Sequence, residues 1–204
     1  CSTEANKRLY RGKHFRNSVV INNAISCVAY SAVLEEEYKV LRNSYNLPDD
    51  AVVLGNVGRI VPHKGIAKMV DVLSELKNRG VNAHFIKVAD NIHFLGERSD
   101  VPIVMHTFDV FVGPALREGF GLVAVEAQAA AVPCVLYQGF PQTVDMHVGL
   151  TIFHKDYNPK AWADSIQTVL KNHKVEKGGI LNAIRALGFD ANENALKISE
   201  MYKR

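Results

Sequence analysis

Short apolar runs alternate with amphipathic segments along most of this chain. Runs bounded by glycine, proline or polar residues predict buried strands at residues 51–57, 83–88, 108–113, 134–137 and 150–153. Apolar residues that recur every three or four positions predict helices between them, as in the series Ile66, Met69, Leu73 and Leu76. The repeated order of strand, loop and helix predicts an α/β fold, with a parallel sheet and helices on both faces.

The same patterns predict the outer elements of the chain. We expect a short helix through Tyr10, a β-branched strand over residues 18–21, and a helix over residues 32–44 with Leu34, Tyr38 and Leu41 on its apolar side. Further helices are predicted at residues 101–106, at residues 124–131 and around Trp162. Two more close the chain, one ending at Gly188 and the last running to Tyr202.

One connection conflicts with the parallel sheet. Residues 83–88 and 91–95 both have the pattern of strands, yet only Ala89 and Asp90 separate them. A parallel crossover needs about a dozen residues or more, whereas two residues permit only an antiparallel hairpin. Either the fold has lost a crossover helix here or residues of the natural chain are missing from the sequence, and we favour the second interpretation.

Composition bounds these expectations. The chain has 204 residues, 48% of them hydrophobic and 22% charged, which suits one domain over residues 1–204. Residues 1–20 are a candidate linker from a missing N-terminal domain, because the chain lacks an initiating Met, and residues 190–204 are predicted as the C-terminal helix. A net charge of +3 without basic runs argues against a nucleic-acid surface. The apolar stretches are too short for a transmembrane segment, so we expect a soluble protein with reduced cysteines.

Two carboxylates flank the turn that follows the strand at residues 108–113. Glu118 and Glu126 lie eight residues apart, with Gly119 and Gly121 between them. Each glutamate has a plain structural interpretation, as a favourable charge at a helix N-terminus or as a solvated helical residue. The paired glycines favour a binding site instead, because they permit positive φ and close approach of a ligand to the backbone.

Two cations follow the strand at residues 51–57. Arg59 and Lys64 could be ordinary surface residues, but parallel strands place their following loops at one edge of the sheet. A guanidinium and an ammonium facing a helix N-terminus there would bind a diphosphate. One carboxylate could then bind ribose hydroxyls and the other sugar hydroxyls, which predicts a nucleotide-sugar site.

These motifs resemble the C-terminal, donor-binding half of retaining glycosyltransferases of the fourth family (glycosyl transferases group 1). The resemblance implies the C-terminal half of a GT-B fold, with a Rossmann-like parallel sheet. The resemblance runs from Ser2 through Tyr202. Its most specific part is the family's Glu-x7-Glu signature together with Arg-x4-Lys. The matching stretches are Asn22-Asn23-Ala24-Ile25, Gly58-Arg59…Lys64-Gly65, Phe94-Leu95-Gly96 and Glu118-Gly119-Phe120-Gly121…Glu126. Ala131 departs from the family, which usually has glycine at this position.

The resemblance implies a role for each matched residue. Arg59 and Lys64 would neutralise the donor diphosphate as the leaving group departs, and with Glu118 they form the implied catalytic set. Glu118 would contact the donor sugar, and Glu126 would bind the ribose hydroxyls. The remaining implied donor-binding residues, some of them near the base, are Gly58, Gly119, Phe120, Gly121, Leu122, Val123, Leu95, Gly96 and Arg98.

The resemblance also implies the setting in which the chain works. We expect a UDP-sugar as donor, no metal or other cofactor, and an N-terminal acceptor-binding domain as the partner, without which this chain alone would be inactive. The closest branch in character is bacterial exopolysaccharide and capsule biosynthesis. That branch implies the cytoplasm, with peripheral contact at the inner face of the membrane.

Two other classes of function stay open at this stage. A non-catalytic nucleotide-binding or interaction domain would keep the fold without the chemistry. A dinucleotide-dependent oxidoreductase would share the sheet, but no Gly-x-Gly-x-x-Gly follows a strand in this chain.

Overall fold

The computed structural model describes residues 18–86, 98–172 and 177–203. Five parallel strands form one sheet in the order β2-β1-β3-β4-β5. The strands are β1 (Val52–Gly55), β2 (Ala83–Ile86), β3 (Val110–Gly113), β4 (Cys134–Tyr137) and β5 (Thr151–His154). Each overlaps one of the five predicted strands, so the predicted α/β class is confirmed. The predicted helix through Tyr10, the pattern at residues 91–95 and the Ala89-Asp90 connection lie outside the described residues.

Eight helices are found in the described parts of the chain. They are α1 (Cys27–Ser31), α2 (Glu35–Ser44), α3 (Lys68–Asn78), α4 (Val101–His106), α5 (Leu122–Ala129), α6 (Pro159–Asn172), α7 (Lys177–Ala186) and α8 (Ala191–Tyr202). Two 3-10 turns lie at Pro62–Lys64 and Gln142–Val144. Every predicted helix in the described ranges is present, whereas the five-residue helix α1 was not predicted.

Side chains that alternate along the strands build two separate cores. On β3, Val110 and Val112 enter the core beneath α3 and α6, while Phe111 between them enters the core beneath α5 and α7. The same alternation occurs on β4, where Val135 faces the first core. Successive side chains of a strand point to opposite faces, so the nearly unbroken apolar runs correspond to a sheet covered on both sides. The predicted helices on both faces are confirmed.

The sheet order reverses between β1 and β3. From β1 the chain first crosses to β2 on one side and later returns to add β3 on the other side. In open α/β sheets such a reversal leaves a crevice beyond the carboxyl ends of the two strands, where ligands bind. Here the loops that follow β1 and β3 border that crevice, and they carry the predicted Lys64 and Glu118.

The prediction of a strand over residues 18–21 is wrong. These residues form no strand, and Val19 is 66% exposed. The segment runs past the junction of α7 and α8, where the Asn194 side chain donates to the carbonyl of Asn22 at 3.0 Å. A single parallel bridge then joins Ile25 to Asp190. β-Branched residues favour extended backbone, but without a neighbouring strand edge they form no strand.

Two of the predicted helices bury less apolar surface than their sequence pattern suggests. Helix α2 begins at Glu35 rather than residue 32, because the Glu37 carboxylate accepts the backbone N–H of Leu34 at 2.8 Å, and the helix buries no residue fully. Helix α8 is exposed from Ala195 onward, with Tyr202 88% exposed. Helical spacing of apolar residues therefore predicted these helices, but not their burial.

Candidate functional site

The loop after β1 is shaped by its proline and glycines. Pro62 begins the 3-10 turn, and Gly65 ends it in the left-handed conformation with φ 67°. A Cβ atom built on Gly65 would lie only 2.2 Å from the backbone oxygen of Pro114. Glycine is required here both by its backbone conformation and by this close contact. The turn that carries Lys64 is therefore packed directly on the chain leaving β3.

The loop after β3 is held by backbone hydrogen bonds to two neighbouring segments. The N–H of Leu116 donates to the oxygen of His63 at 2.9 Å, and the N–H of Glu118 donates to the oxygen of Gly139 at 2.9 Å. Gly121 precedes α5 with φ 79°, and its position leaves no room for a Cβ atom because Phe140 lies against it. These contacts fix the direction in which Glu118 enters the crevice.

Lys64 and Glu118 form an ion pair across the crevice. The Lys64 ammonium donates a hydrogen bond to the Glu118 carboxylate, and the two side chains are only 20% and 16% exposed. Glu118 also accepts the N–H of Gly119 at 3.2 Å. Two residues that lie 54 positions apart, predicted from separate motifs, therefore meet at one point. The Coulomb attraction between two charges shielded from water is stronger than that between two charges on the surface.

Two further cations border the same loops. Arg59 is exposed after β1, and within the described residues no carboxylate forms an ion pair with it. Arg117, next to Glu118, is likewise exposed. It was not among the predicted site residues, although its position beside the Glu118 motif could have identified it as a candidate. The first turn of α5 adds backbone N–H groups near Leu122 and Val123 that lack partners within the helix. The crevice is thus suited to an anion.

Glu126 lies one turn into α5, half-buried beside Tyr30 of α1. Burial raises the pKa of the Glu126 carboxyl, and a hydrogen bond with Tyr30 partly opposes that rise. Burial of the Tyr30 side chain, and to a smaller extent the nearby Glu126 carboxylate, raise the pKa of Tyr30, so its hydroxyl stays protonated. Tyr30 belongs to the unpredicted helix α1, and no motif in the sequence pointed to this contact.

The raised pKa of Glu126 predicts a pH-dependent cost to stability. The folded protein binds the Glu126 proton more tightly than the unfolded chain does. The resulting stabilisation is therefore fully present below the ordinary carboxyl pKa, and it is lost as the pH rises through the raised pKa of the folded state. Glu126→Gln should therefore raise the free energy of unfolding by about 1 kcal/mol near neutral pH, and change it little near about pH 4.

Urea unfolding at both pH values measures this difference. Glu36→Gln, which removes an exposed carboxylate on α2, is the matched control and should follow the wild type at each pH. An equal effect of Glu126→Gln at both pH values would show that the carboxyl ionisation carries no cost.

The other predicted donor-binding residues have different outcomes. Of the two glycines expected to allow positive φ, only Gly121 has it, and the space around Gly119 is open. Phe120 packs on Phe189, with ring centroids 5.7 Å apart, because contact between the two aromatic rings buries apolar surface. Arg98 is bound to Asp100, with Nε 2.7 Å from Oδ1. Gly58 is exposed with φ 140°, and Leu95 and Gly96 lie outside the described residues.

The described residues contain neither a metal-binding cluster nor a membrane-spanning helix. Among residues 18–86, 98–172 and 177–203, no group of three or more histidine, cysteine, aspartate or glutamate side chains is arranged to hold a metal ion. Within the same ranges, no helix combines the length and apolar character of a membrane-spanning segment.

Known proteins are similar to this chain in sequence. The capsular polysaccharide biosynthesis glycosyltransferase CapM of Staphylococcus aureus is 28% identical over 166 residues, covering 71% of this chain and 42% of that protein. The D-inositol 3-phosphate glycosyltransferase of Corynebacterium glutamicum is 29% identical over 187 residues, covering 78% and 42%. This chain therefore spans less than half the length of these relatives.

Solved structures agree on the fold. HepE of Anabaena, crystallised in complex with UDP-glucose, superposes with a TM-score of 0.72 at 20% identity, over 93% of this chain and 58% of HepE. The Glycosyl transferases group 1 family matches residues 37–184. Because that match spans well over half of the described sequence and includes both site loops, this chain belongs to the Glycosyl transferases group 1 family.

Proposed function

We propose that this chain is the C-terminal domain of a retaining glycosyltransferase and binds its nucleotide-sugar donor, with UDP as the nucleotide. The observation that carries the proposal is the Lys64–Glu118 ion pair, held at the crevice between β1 and β3 beside the N-terminus of α5. A cation, a carboxylate and free backbone N–H groups in one crevice match the phosphate and hydroxyl groups of such a donor.

Binding of the diphosphate would be an exchange of partners. Lys64 would leave the Glu118 carboxylate for a phosphate oxygen, and the exposed Arg59 would join it. Glu118, released from Lys64, would accept hydrogen bonds from the donor sugar. As the bond between the sugar and the diphosphate breaks, negative charge grows on the leaving phosphate, where both cations and the α5 N-terminus stabilise it.

Glu126 would bind the ribose hydroxyls in this arrangement. Its carboxylate is costly to keep charged in the half-buried site, and Tyr30 orients it. Residues kept at a cost to stability are characteristic of functional sites. Two positive side chains and a helix N-terminus supply the charge that a metal would otherwise bring, so we propose that donor binding requires no metal ion.

The relatives support the wider setting of this proposal. HepE was solved with UDP-glucose, and the matching part of Francisella tularensis LpcC, 18% identical with a TM-score of 0.57, is described as the C-terminal domain of a glycosyl transferase group 1 family protein. This chain covers 58% of HepE, and we propose that the partner outside the covered part is an acceptor-binding domain. CapM supports a role in bacterial polysaccharide biosynthesis, with the cytoplasm as the proposed location.

Calorimetric titration of the chain with UDP tests the proposal. We expect saturable binding with one UDP per chain, and the same affinity in EDTA as with added Mg²⁺. A parallel titration with ADP at equal concentration measures whether binding depends on the base of the nucleotide. A folded protein that releases no binding heat at about millimolar UDP, the weak end of specific ligand binding, would contradict the proposal.

A further inference from the structure

Tyr157 connects the two site loops from a third segment of the chain. It lies between β5 and α6, and its hydroxyl donates to the backbone oxygen of Pro114 at 2.7 Å. Pro114 is the first residue after β3 and begins the segment that leads to Glu118. No motif or spacing in the sequence singled out Tyr157.

The oxygen that Tyr157 binds is also the contact point of the loop after β1. A Cβ on Gly65 would lie 2.2 Å from this same Pro114 oxygen, so the backbone of Gly65 passes directly over it. Two residues further on, the N–H of Leu116 donates to His63 at 2.9 Å. A shift of the Pro114 carbonyl would therefore move the Lys64 turn and the Glu118 segment relative to each other.

The ring of Tyr157 is held on both sides. It stacks on Tyr137 with centroids 4.3 Å apart and planes 15° apart, and it lies 6.2 Å from the fully buried Trp162. The Lys68 ammonium lies 5.9 Å from the ring centroid, at the start of α3, which continues the Lys64 turn. Burial raises the pKa of Tyr157 to about 12, so the hydroxyl remains a donor at neutral pH.

We propose that Tyr157 is a positioning residue for the donor site, which sets the spacing between Lys64 and Glu118 through the Pro114 carbonyl. This inference rests on the proposed function for its effect on ligand binding. Tyr157 itself touches neither Lys64 nor Glu118 through any contact found among the described residues, so its influence passes through the backbone. Hydroxyl removal should loosen the site while the ring stack stays in place.

Tyr157→Phe tests the proposal against Tyr137→Phe. The first change removes the hydroxyl that donates to Pro114. The second removes the hydroxyl of Tyr137, the other ring of the same stack, which accepts a hydrogen bond from the Gln138 side chain at 3.3 Å. We expect Tyr157→Phe to weaken UDP binding about three- to tenfold, the range for one intramolecular hydrogen bond, and Tyr137→Phe to leave it unchanged.

A double-mutant cycle separates positioning from general loss of structure. If Tyr157 acts through the Lys64 turn, Tyr157→Phe should cost affinity in the wild type and almost nothing in a Lys64→Ala background. Equal losses in both backgrounds would overturn the proposal, because they would show that Tyr157 acts independently of Lys64.

Amide hydrogen exchange provides a readout that needs no ligand. Tyr157→Phe should speed exchange of the Leu116 N–H, which bridges the two loops, with no change in the strands, and Tyr137→Phe should not. Unchanged exchange at Leu116, or faster exchange over the whole domain, would overturn the positioning role. If the wild type fails to bind UDP, the proposed function fails, and the exchange measurement still decides the role of Tyr157.

Discussion

Lys64→Ala is expected to weaken UDP binding about 100-fold, or about 3 kcal/mol, the usual cost of removing one member of a shielded charge pair. The substitution removes the ammonium proposed to bind the diphosphate. It also leaves the Glu118 carboxylate, only 16% exposed, without its cation and facing the incoming phosphates. Both effects act in the same direction, which makes this the largest expected change in affinity from a single side chain.

Lys39→Ala is the matched control for this loss. Lys39 also pairs with a glutamate, Glu35, at 2.6 Å, but on the exposed surface of α2. Lys39→Ala and Lys64→Ala change the net charge by the same amount, so any general effect of charge on UDP binding appears in both variants. Calorimetry should find wild-type affinity in Lys39→Ala, and equal affinities in the two variants would remove Lys64 from the site.

Gly65→Ala is expected to have the largest effect on stability. The left-handed conformation at φ 67° costs an alanine about 1–2 kcal/mol. The new Cβ would also lie 2.2 Å from the Pro114 oxygen, and backbone on both loops must move to relieve that overlap. We expect a total loss of about 3 kcal/mol in the free energy of unfolding, together with at least about tenfold weaker UDP binding.

Gly149→Ala separates the two causes. Gly149 has a similar φ of 75°, but nothing lies within 4 Å of an added Cβ. It should therefore show the conformational cost alone, about 1 kcal/mol, with unchanged UDP affinity. Urea unfolding compares the two variants, and equal losses of stability would mean that the contact between Gly65 and Pro114 does not constrain the loops.

The strands were predictable because a strand that is buried on both faces has apolar residues at nearly every position. Each strand is a short apolar run ended by a loop residue, and the alternation of Val110, Phe111 and Val112 between two cores requires apolar residues at every position. The segment at residues 18–21 has the same β-branched character but no strand beside it. Local pattern thus indicates extended backbone, whereas pairing depends on where distant segments lie.

The candidate site was predictable in part for a similar reason. Loops after neighbouring parallel strands meet at one edge, so the motifs of Lys64 and Glu118 could be expected to lie near each other. Their direct ion pair, the contact of Tyr30 with Glu126 and the bond from Tyr157 to Pro114 could not. Each joins residues far apart in sequence, and nothing in the local sequence marks such a contact.

Ala131 shows how a departure from the family's pattern becomes a physical cost. The resemblance to the family implies glycine at this position, and the backbone of Ala131 has φ 60°, in the left-handed region. An alanine there carries about 1 kcal/mol of strain that a glycine would avoid. The sequence identified the unusual residue, and the structure supplies the reason why glycine is the ordinary choice.

The most direct test of the donor site is a two-dimensional NMR titration of the isotope-labelled chain with UDP. Amide shifts show where the ligand binds as well as whether it binds. We expect the largest shifts on the loop after β1, residues 56–65, and on residues 116–126, with β5 and α6 little changed. Saturable shifts confined to another part of the chain would contradict the proposed site.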